Sequence, residues 1–217
     1  MPVTTQSVVI VPATSSALTT KEAVKTELGI TGTEDDAFLD SAIRQASSAI
    51  STYCNYVFGV ETLRDTFRSD GYRGWREGDH GLILAKMPVV SVISVTSDGT
   101  PYVVDTHYYV EPAAGMVFRL VGGAREYWDF TTGIVEYTAG YVLPGQPSPT
   151  LPEVVERACI DLVKMAVANR ARDPQLRSEQ IMDIVTRTWY PTTSETSGGL
   201  PSAVAASLDY FRMTVIP

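Results

Sequence analysis

TLPEVVERACIDLVKMAVANRAR, residues 150–172, carries the strongest helical signal in the chain. Thr150 is placed to act as N-cap, and Glu153 three residues on completes a capping box. Pro152 falls in the first turn, where its missing N–H costs nothing. Leu151, Val155, Ala158, Cys159, Leu162, Val163 and Ala166 recur at helical spacing and form one apolar stripe. Arg170 and Arg172 complement the negative end of the helix dipole, and Asp173-Pro174 stops it. Such a helix is about 33 Å long, the span of a small domain.

Two further helices precede it. Thr19 and Glu22 form a capping box that opens a short helix to about Leu28, and Gly29 ends it. Thr33 is the expected cap of a longer helix, with Glu34, Asp35 and Asp36 at its positive end. Its apolar stripe is Leu39, Ala42, Ile43, Ala46, Ile50 and Tyr53, and it should end near Asn55. Three stripes predict a small three-helix bundle with the 150–172 helix as its third member.

Between Glu61 and Tyr141 the period shifts to that of strands. Strands are expected at Thr62–Phe67, Leu82–Leu84, Val89–Ser97, Tyr102–Val104, Tyr108–Glu111, Met116–Leu120 and Gly133–Tyr137. Asp98-Gly99 signals a hairpin, and Ala113-Ala114-Gly115 another turn. The linkers are too short for helical crossovers, so the sheet should be antiparallel. The fold class is therefore α+β: a small three-helix bundle, an antiparallel β-rich insertion between the second and third helices, and an extended C-terminal arm. The expected divisions are an extended N-terminal segment at 1–17 with a strand at Ser7–Val11, helices at 18–60, the insertion at 61–149, the third helix at 150–172 and the arm at 173–217. The arm has a Gly/Ser/Thr hinge at Thr192–Gly199 and then a short helix, Ser202–Tyr210.

The 217 residues are 44% hydrophobic, enough for one domain with a sound core. A net charge of -8 argues against a surface that wraps nucleic acid. No apolar run approaches the roughly 20 residues that span a bilayer. The start lacks a basic n-region, which reads as a cytoplasmic product without a signal peptide. Cys54 and Cys159 each fall inside a helical pattern and read as reduced core thiols. His80 and His107 are the only histidines, too few and too far apart for a zinc site. Asp35-Asp36 could ligate a metal, but satisfying a helix N-terminus is the simpler role. Walker A, Gly-x-Ser-x-Gly and Gly-x-Gly-x-x-Gly are absent. No cofactor and no enzymatic activity are expected.

Two stretches read as contact surfaces. RDTFRSDGYRGWR, Arg64 to Arg76, interleaves arginines with aromatics. Arg68, Tyr72, Arg73, Trp75 and Arg76 form a candidate interface loop for protein, or for nucleic acid in the alternative reading of a nucleic-acid-binding module. The other reading is a solvated hairpin whose arginines pair Asp65, Asp70, Glu77 and Asp79. In the arm, Trp189, Tyr190, Leu200, Pro201, Val204, Leu208, Tyr210, Phe211 and Arg212 are the expected partner-binding residues, because frayed tails are normally polar.

The run LTTKEAVKTELGITGTEDDAFLDSAIRQASSAISTYCNYVF, residues 18–58, resembles the opening of the head–tail connector (adaptor) proteins of long-tailed phages and gene transfer agents. ILAKMPVVSVISVTSDG resembles a strand of that family. GIVEYTAGY followed by LPEVVERACIDLVKMAVANR resembles its last strand and third helix, and LPSAVAASLDYFR its closing piece. The loop Arg68–Gly81 departs from the pattern. The resemblance implies a structural neck protein that joins the DNA-filled head to the tail and forms part of the DNA channel. Its implied partners are a homo-oligomeric ring of about twelve copies, a portal protein on the head side and another neck or tail-completion protein on the tail side. DNA would pass without tight binding, which the acidic balance suits. The implied location is the particle neck, reached by assembly in the bacterial cytoplasm.

Overall fold

Alternating burial along the middle of the chain builds the β architecture. The computed structural model describes residues 4–69, 81–170, 178–181, 185–188, 196–197 and 199–213. The chain divides into two units, residues 1–14 with 59–141 and residues 15–58 with 142–217.

The first unit holds β1 (Thr4–Val11), β2 (Glu61–Arg68), β3 (Leu82–Ile83), β4 (Val89–Ser97), β5 (Thr100–Tyr102), β6 (Tyr108–Glu111), β7 (Met116–Val121), β8 (Ala124–Glu126) and β9 (Thr132–Ala139). A five-stranded sheet runs β1-β2-β9-β4-β5, and a second runs β3-β7-β6 with β8 beside β7. Every pairing between these strands is antiparallel, as short linkers require. β2 buries Leu63 and Phe67 while Arg64 and Arg68 on the other face stay exposed; β9 buries Val135, Tyr137 and Ala139. These side chains form one core with Leu82, Leu84, Val95, Tyr108 and Val117. Asp98 and Gly99 turn the β4–β5 hairpin with φ of 47° and 80°, the double positive φ of a two-residue hairpin turn. The Asp98 carboxylate also accepts the N–H groups of Thr131 and Thr132 at the start of β9.

A buried polar network crosses this core. Asp65 on β2 is fully buried, and its Oδ2 accepts the Ala85 N–H at 2.8 Å and the Tyr137 hydroxyl at 2.8 Å. The Tyr137 oxygen in turn accepts the Lys86 N–H at 3.2 Å. Lys86 Nζ, also buried, donates to Glu61 Oε2 at 2.7 Å and to the Gly59 carbonyl at 2.8 Å. Burial lowers the Lys86 pKa against the raising effect of Glu61, and burial together with Asp65 raises that of Tyr137. The polar groups of this network are paired with one another, with one exception: Asp65 Oδ1 is buried without a hydrogen-bond partner.

The strand pattern stands with small shifts. The expected strand at Tyr102–Val104 lies at Thr100–Tyr102 instead, because Val103 belongs to a turn: its N–H goes to His107 Nδ1 at 3.0 Å and its carbonyl accepts the His107 N–H. β8 was not expected; its residues are exposed and give no alternation. β1 begins at Thr4, three residues before the expected start.

The second unit holds α1 (Lys21–Leu28), α2 (Asp36–Cys54), α3 (Glu153–Arg170) and α4 (Ser202–Leu208), the last continued by a 3-10 turn at Asp209–Phe211. It also includes short antiparallel pairs of β10 (Ser178–Ile181) with β11 (Val185–Thr188), and β12 (Thr196–Ser197) with β13 (Leu200–Pro201). All six expected stripe residues of α2 are buried, and α2 ends at Asn55 in the left-handed conformation. α3 buries Val155, Ala158, Cys159 and Val163 as expected, and Ile160 in addition; Leu162 and Ala166 are only half-buried. Among the described residues the helical unit thus has four helices, the fourth being the expected short helix that begins at Ser202.

The caps differ in detail. Thr20, not Thr19, caps α1 by accepting the Ala23 N–H, while the Thr19 hydroxyl donates to Glu156 on α3 at 3.1 Å. α2 begins at Asp36, beyond Thr33, whose carbonyl accepts the Asp36 N–H. Thr150 does not cap α3, because its hydroxyl accepts the Val142 N–H; the Pro152 carbonyl starts that helix by accepting the Val155 N–H. At Thr19 and Thr150 another bond has claimed the expected hydroxyl, and at Thr33 a local turn precedes the first helical residue.

Replacing Asp65 with Ala strands the Tyr137 hydroxyl and the Ala85 N–H in the core. Urea unfolding should show a loss of about 2–4 kcal/mol, against about 1 kcal/mol for Tyr137→Phe. A change below about 0.5 kcal/mol for Asp65→Ala would show that the network does not hold the unit together.

Candidate functional site

Of the C-terminal residues expected to bind a partner, Leu200, Val204 and Leu208 pack within their own helical unit. Leu200, Val204 and Leu208 are buried, with Leu208 fully so, and Ala205 lies beside them. α4 packs on α3 and α2. This corrects the extended arm for residues 199–213: the apolar anchors find cover within the chain, at Leu/Val spacing along a short helix. Phe211 is half-buried, its ring 6.4 Å from that of Phe58, and Tyr210 stands against it edge-on while remaining 91% exposed. The Asp209 carboxylate accepts the Tyr53 hydroxyl at 2.5 Å, which raises the phenol's pKa. The Arg212 guanidinium lies 5.4 Å from the centre of the Tyr53 ring, and the Met213 N–H reaches the Cys54 carbonyl at 2.8 Å. Pro201 is half-buried and Arg212 exposed. Trp189 and Tyr190 lie outside the described residues, as do Tyr72, Arg73, Trp75 and Arg76. Arg68 is exposed at the end of β2.

A groove of about 740 Å³ runs between α3 and α4, lined by Val154, Ile160, Met165 and Val204 among others. Arg157 and Lys164, two of its charged residues, are engaged with neighbours. Glu27 of α1 takes Arg157 at 2.9 Å and Lys164 at 3.0 Å, and these cations hold its carboxyl below the ordinary range. The acidic pair at the start of α2 is engaged in the same way. Asp36 accepts Lys25 and Lys21 of α1, with Lys25 the main cause of its lowered pKa, while Asp35 pairs with Arg170 at the end of α3. These carboxylates tie α2 to α1 and α3.

The reactive residue types do structural work. Burial pushes both thiols, Cys54 and Cys159, up to about 11, so neither is a thiolate near neutrality. Ser47 Oγ lies 3.6 Å from Cys159 Sγ and accepts the Leu18 N–H, knitting three segments together. His107 Nδ1 holds the Val103 turn. No group of three or more His, Cys, Asp or Glu side chains able to hold a metal occurs among the described residues.

What the sequence reading missed is an exposed apolar margin. Val8, Val9, Ile10 and Val11 on β1 are each 46–52% exposed, and Val90 and Ile93 on β4 are 56% and 57% exposed. The uncharged β-branched run at 8–11 was a visible signal. The exposure of Val90 and Ile93 was not, since it arises from irregular pairing with β9.

The helical unit is interrupted by an antiparallel β insertion, and this fold has counterparts among solved structures. The fold is shared at TM-score 0.53 and 18% identity with a chain of the neck of an empty gene transfer agent particle computed with C6 symmetry, over 98% of this chain and 97% of that one. It is shared at TM-score 0.51 and 18% identity with a chain of the virion of a native gene transfer agent particle, over 97% of each. No curated protein matches the chain. The family model for head completion protein matches residues 17–174, and the chain belongs to that family.

Two measurements probe this unit. Leu208→Ala should cost about 2–5 kcal/mol, whereas Tyr210→Ala should leave the melting temperature nearly unchanged; equal effects would contradict the burial of α4. For Asp36, a lowered folded pKa means its contribution is present above the ordinary value of 3.8 and is lost as pH falls through the lowered one. Asp36→Asn should therefore lower the melting temperature at pH 7, and the difference from the parent should shrink on acidification below 3.8. A difference independent of pH would place its origin elsewhere.

Proposed function

We propose that the protein is a structural neck component that joins a DNA-filled head to a tail. In this reading about twelve copies form a closed ring, with a portal protein on the head side and another neck or tail-completion protein on the tail side. Ring closure demands heterologous contacts, in which two different surfaces of one chain meet. The observation that carries the proposal is membership of the head completion family over residues 17–174. The shared fold with a chain of a particle neck computed with C6 symmetry adds support, since six-fold symmetry is compatible with twelve copies. The net charge of -8 suits a channel through which DNA slides without sticking. The protein acts by assembly and catalyses no reaction. It is built in the bacterial cytoplasm and resides in the particle.

Class averages of the purified protein, alone and with its portal, test the ring directly. Closed rings are expected on the portal, and a lone monomer decorating it would overturn the proposal. Duplex DNA should bind weakly at physiological salt. Submicromolar binding that survives such salt would instead make Arg64–Arg76 a DNA site.

A further inference from the structure

The five-stranded sheet has two unlike margins. On one side β1 pairs only with β2, and no other strand covers it among the described residues. Within the strand TTQSVVIV, every residue from Thr5 to Val11 is exposed. Val9 stands opposite buried Leu63, and Thr5 opposite buried Phe67, so both lie on the core face. The core stops short of them. The strand carries no charge and no proline, the usual devices that blunt a sheet edge.

The opposite margin is built differently. β5 covers β4 only from Val95 to Ser97. That short stretch is blunted: Pro101 has no N–H, and the Val103 N–H just beyond is held by His107. From Val90 to Ser94 no strand lies outside β4 among the described residues. The register with β9 shifts there twice, between Val89 and Ser91 and between Val92 and Ser94. Val90 and Ile93 are the extra residues, and the bulges present them outward.

We infer that β1 of one copy lies along the Val90–Ser94 margin of β4 in the next copy, so that Val8–Val11 cover Val90 and Ile93. A single chain supplies both halves, uncharged and β-branched, at opposite margins of one sheet. A contact of this kind is heterologous and passes from copy to copy, as a ring needs. Pairing of β1 with β1 would instead close a two-fold dimer and leave β4 bare. The contact rests on the ring reading above and names the surface that makes it. One strand of about 26 Å is small beside a standard interface, so a single pair should be weak and the closed ring much stronger.

The test uses the full chain carrying Val9→Cys together with Ile93→Cys, treated with a short bismaleimide, alone and on the portal. The native thiols are buried and should not react. A ladder of dimer, trimer and higher species is expected, with neither single variant cross-linking beyond background. A second variant, Val9→Lys with Ile10→Lys, should cut the ring fraction at least tenfold while leaving the melting temperature of the monomer within about 2 °C. Rings that persist in this variant, or form without a ladder, overturn the strand contact and leave the ring standing. Dimers from Val9→Cys alone overturn it in favour of a two-fold pair. Absence of both rings and cross-links on the portal overturns the contact and the ring together.

Discussion

The pairing of β2 with β9 is the interaction on which the chain's arrangement depends. Eight residues of each strand run in unbroken antiparallel register, from Glu61 opposite Ala139 to Arg68 opposite Thr132. An isolated parallel bridge between Gly59 and Tyr141 lies just beyond that ladder. The chain thus leaves the helical unit and returns to it through adjacent strands. Helices α2 and α3, far apart in sequence, can then pack on each other without a long loop to close.

Both units solve the problem of buried polar groups by borrowing from distant segments. In the β unit, Asp65 and Lys86 satisfy a tyrosine, a carbonyl and backbone N–H groups within one network. In the helical unit, Ser47 and Thr19 tie the entry to α1 against α2 and α3. Such bonds add little net stability individually, but leaving any partner unmade is costly. They therefore select one arrangement more than they strengthen it.

Local pattern carried most of the elements and little of their contacts. The α2 stripe from Leu39 to Tyr53 was legible because burial there follows a fixed period, and the strand at Val89–Ser97 because of its β-branched residues, although two bulges break its alternation. The caps at Thr19 and Thr150 were misplaced because their hydroxyls serve Glu156 and Val142, partners that only the fold brings near. The C-terminal anchors were recognised as residues that bury, and three of them find cover on their own helices. Leu200, Val204 and Leu208 demand an apolar surface, and nothing in their spacing says whether it belongs to the same chain. The β-branched run at 8–11 was visible in the sequence, but its place at a sheet edge is a property of topology, not of the strand.

A split helical unit also imposes an order on synthesis. α1 and α2 emerge from the ribosome roughly 100 residues before α3, a delay of about 5–20 s. During that interval Leu39, Ile43 and Ile50 lack the helix that finally covers them. The β unit, whose last strand precedes α3, can complete its pairing while the helical unit still waits. The nascent chain therefore exposes an apolar helix face to the cell for seconds in every round of translation. That interval, not the finished protein, is where a chaperone that recognises apolar helices would find its opportunity.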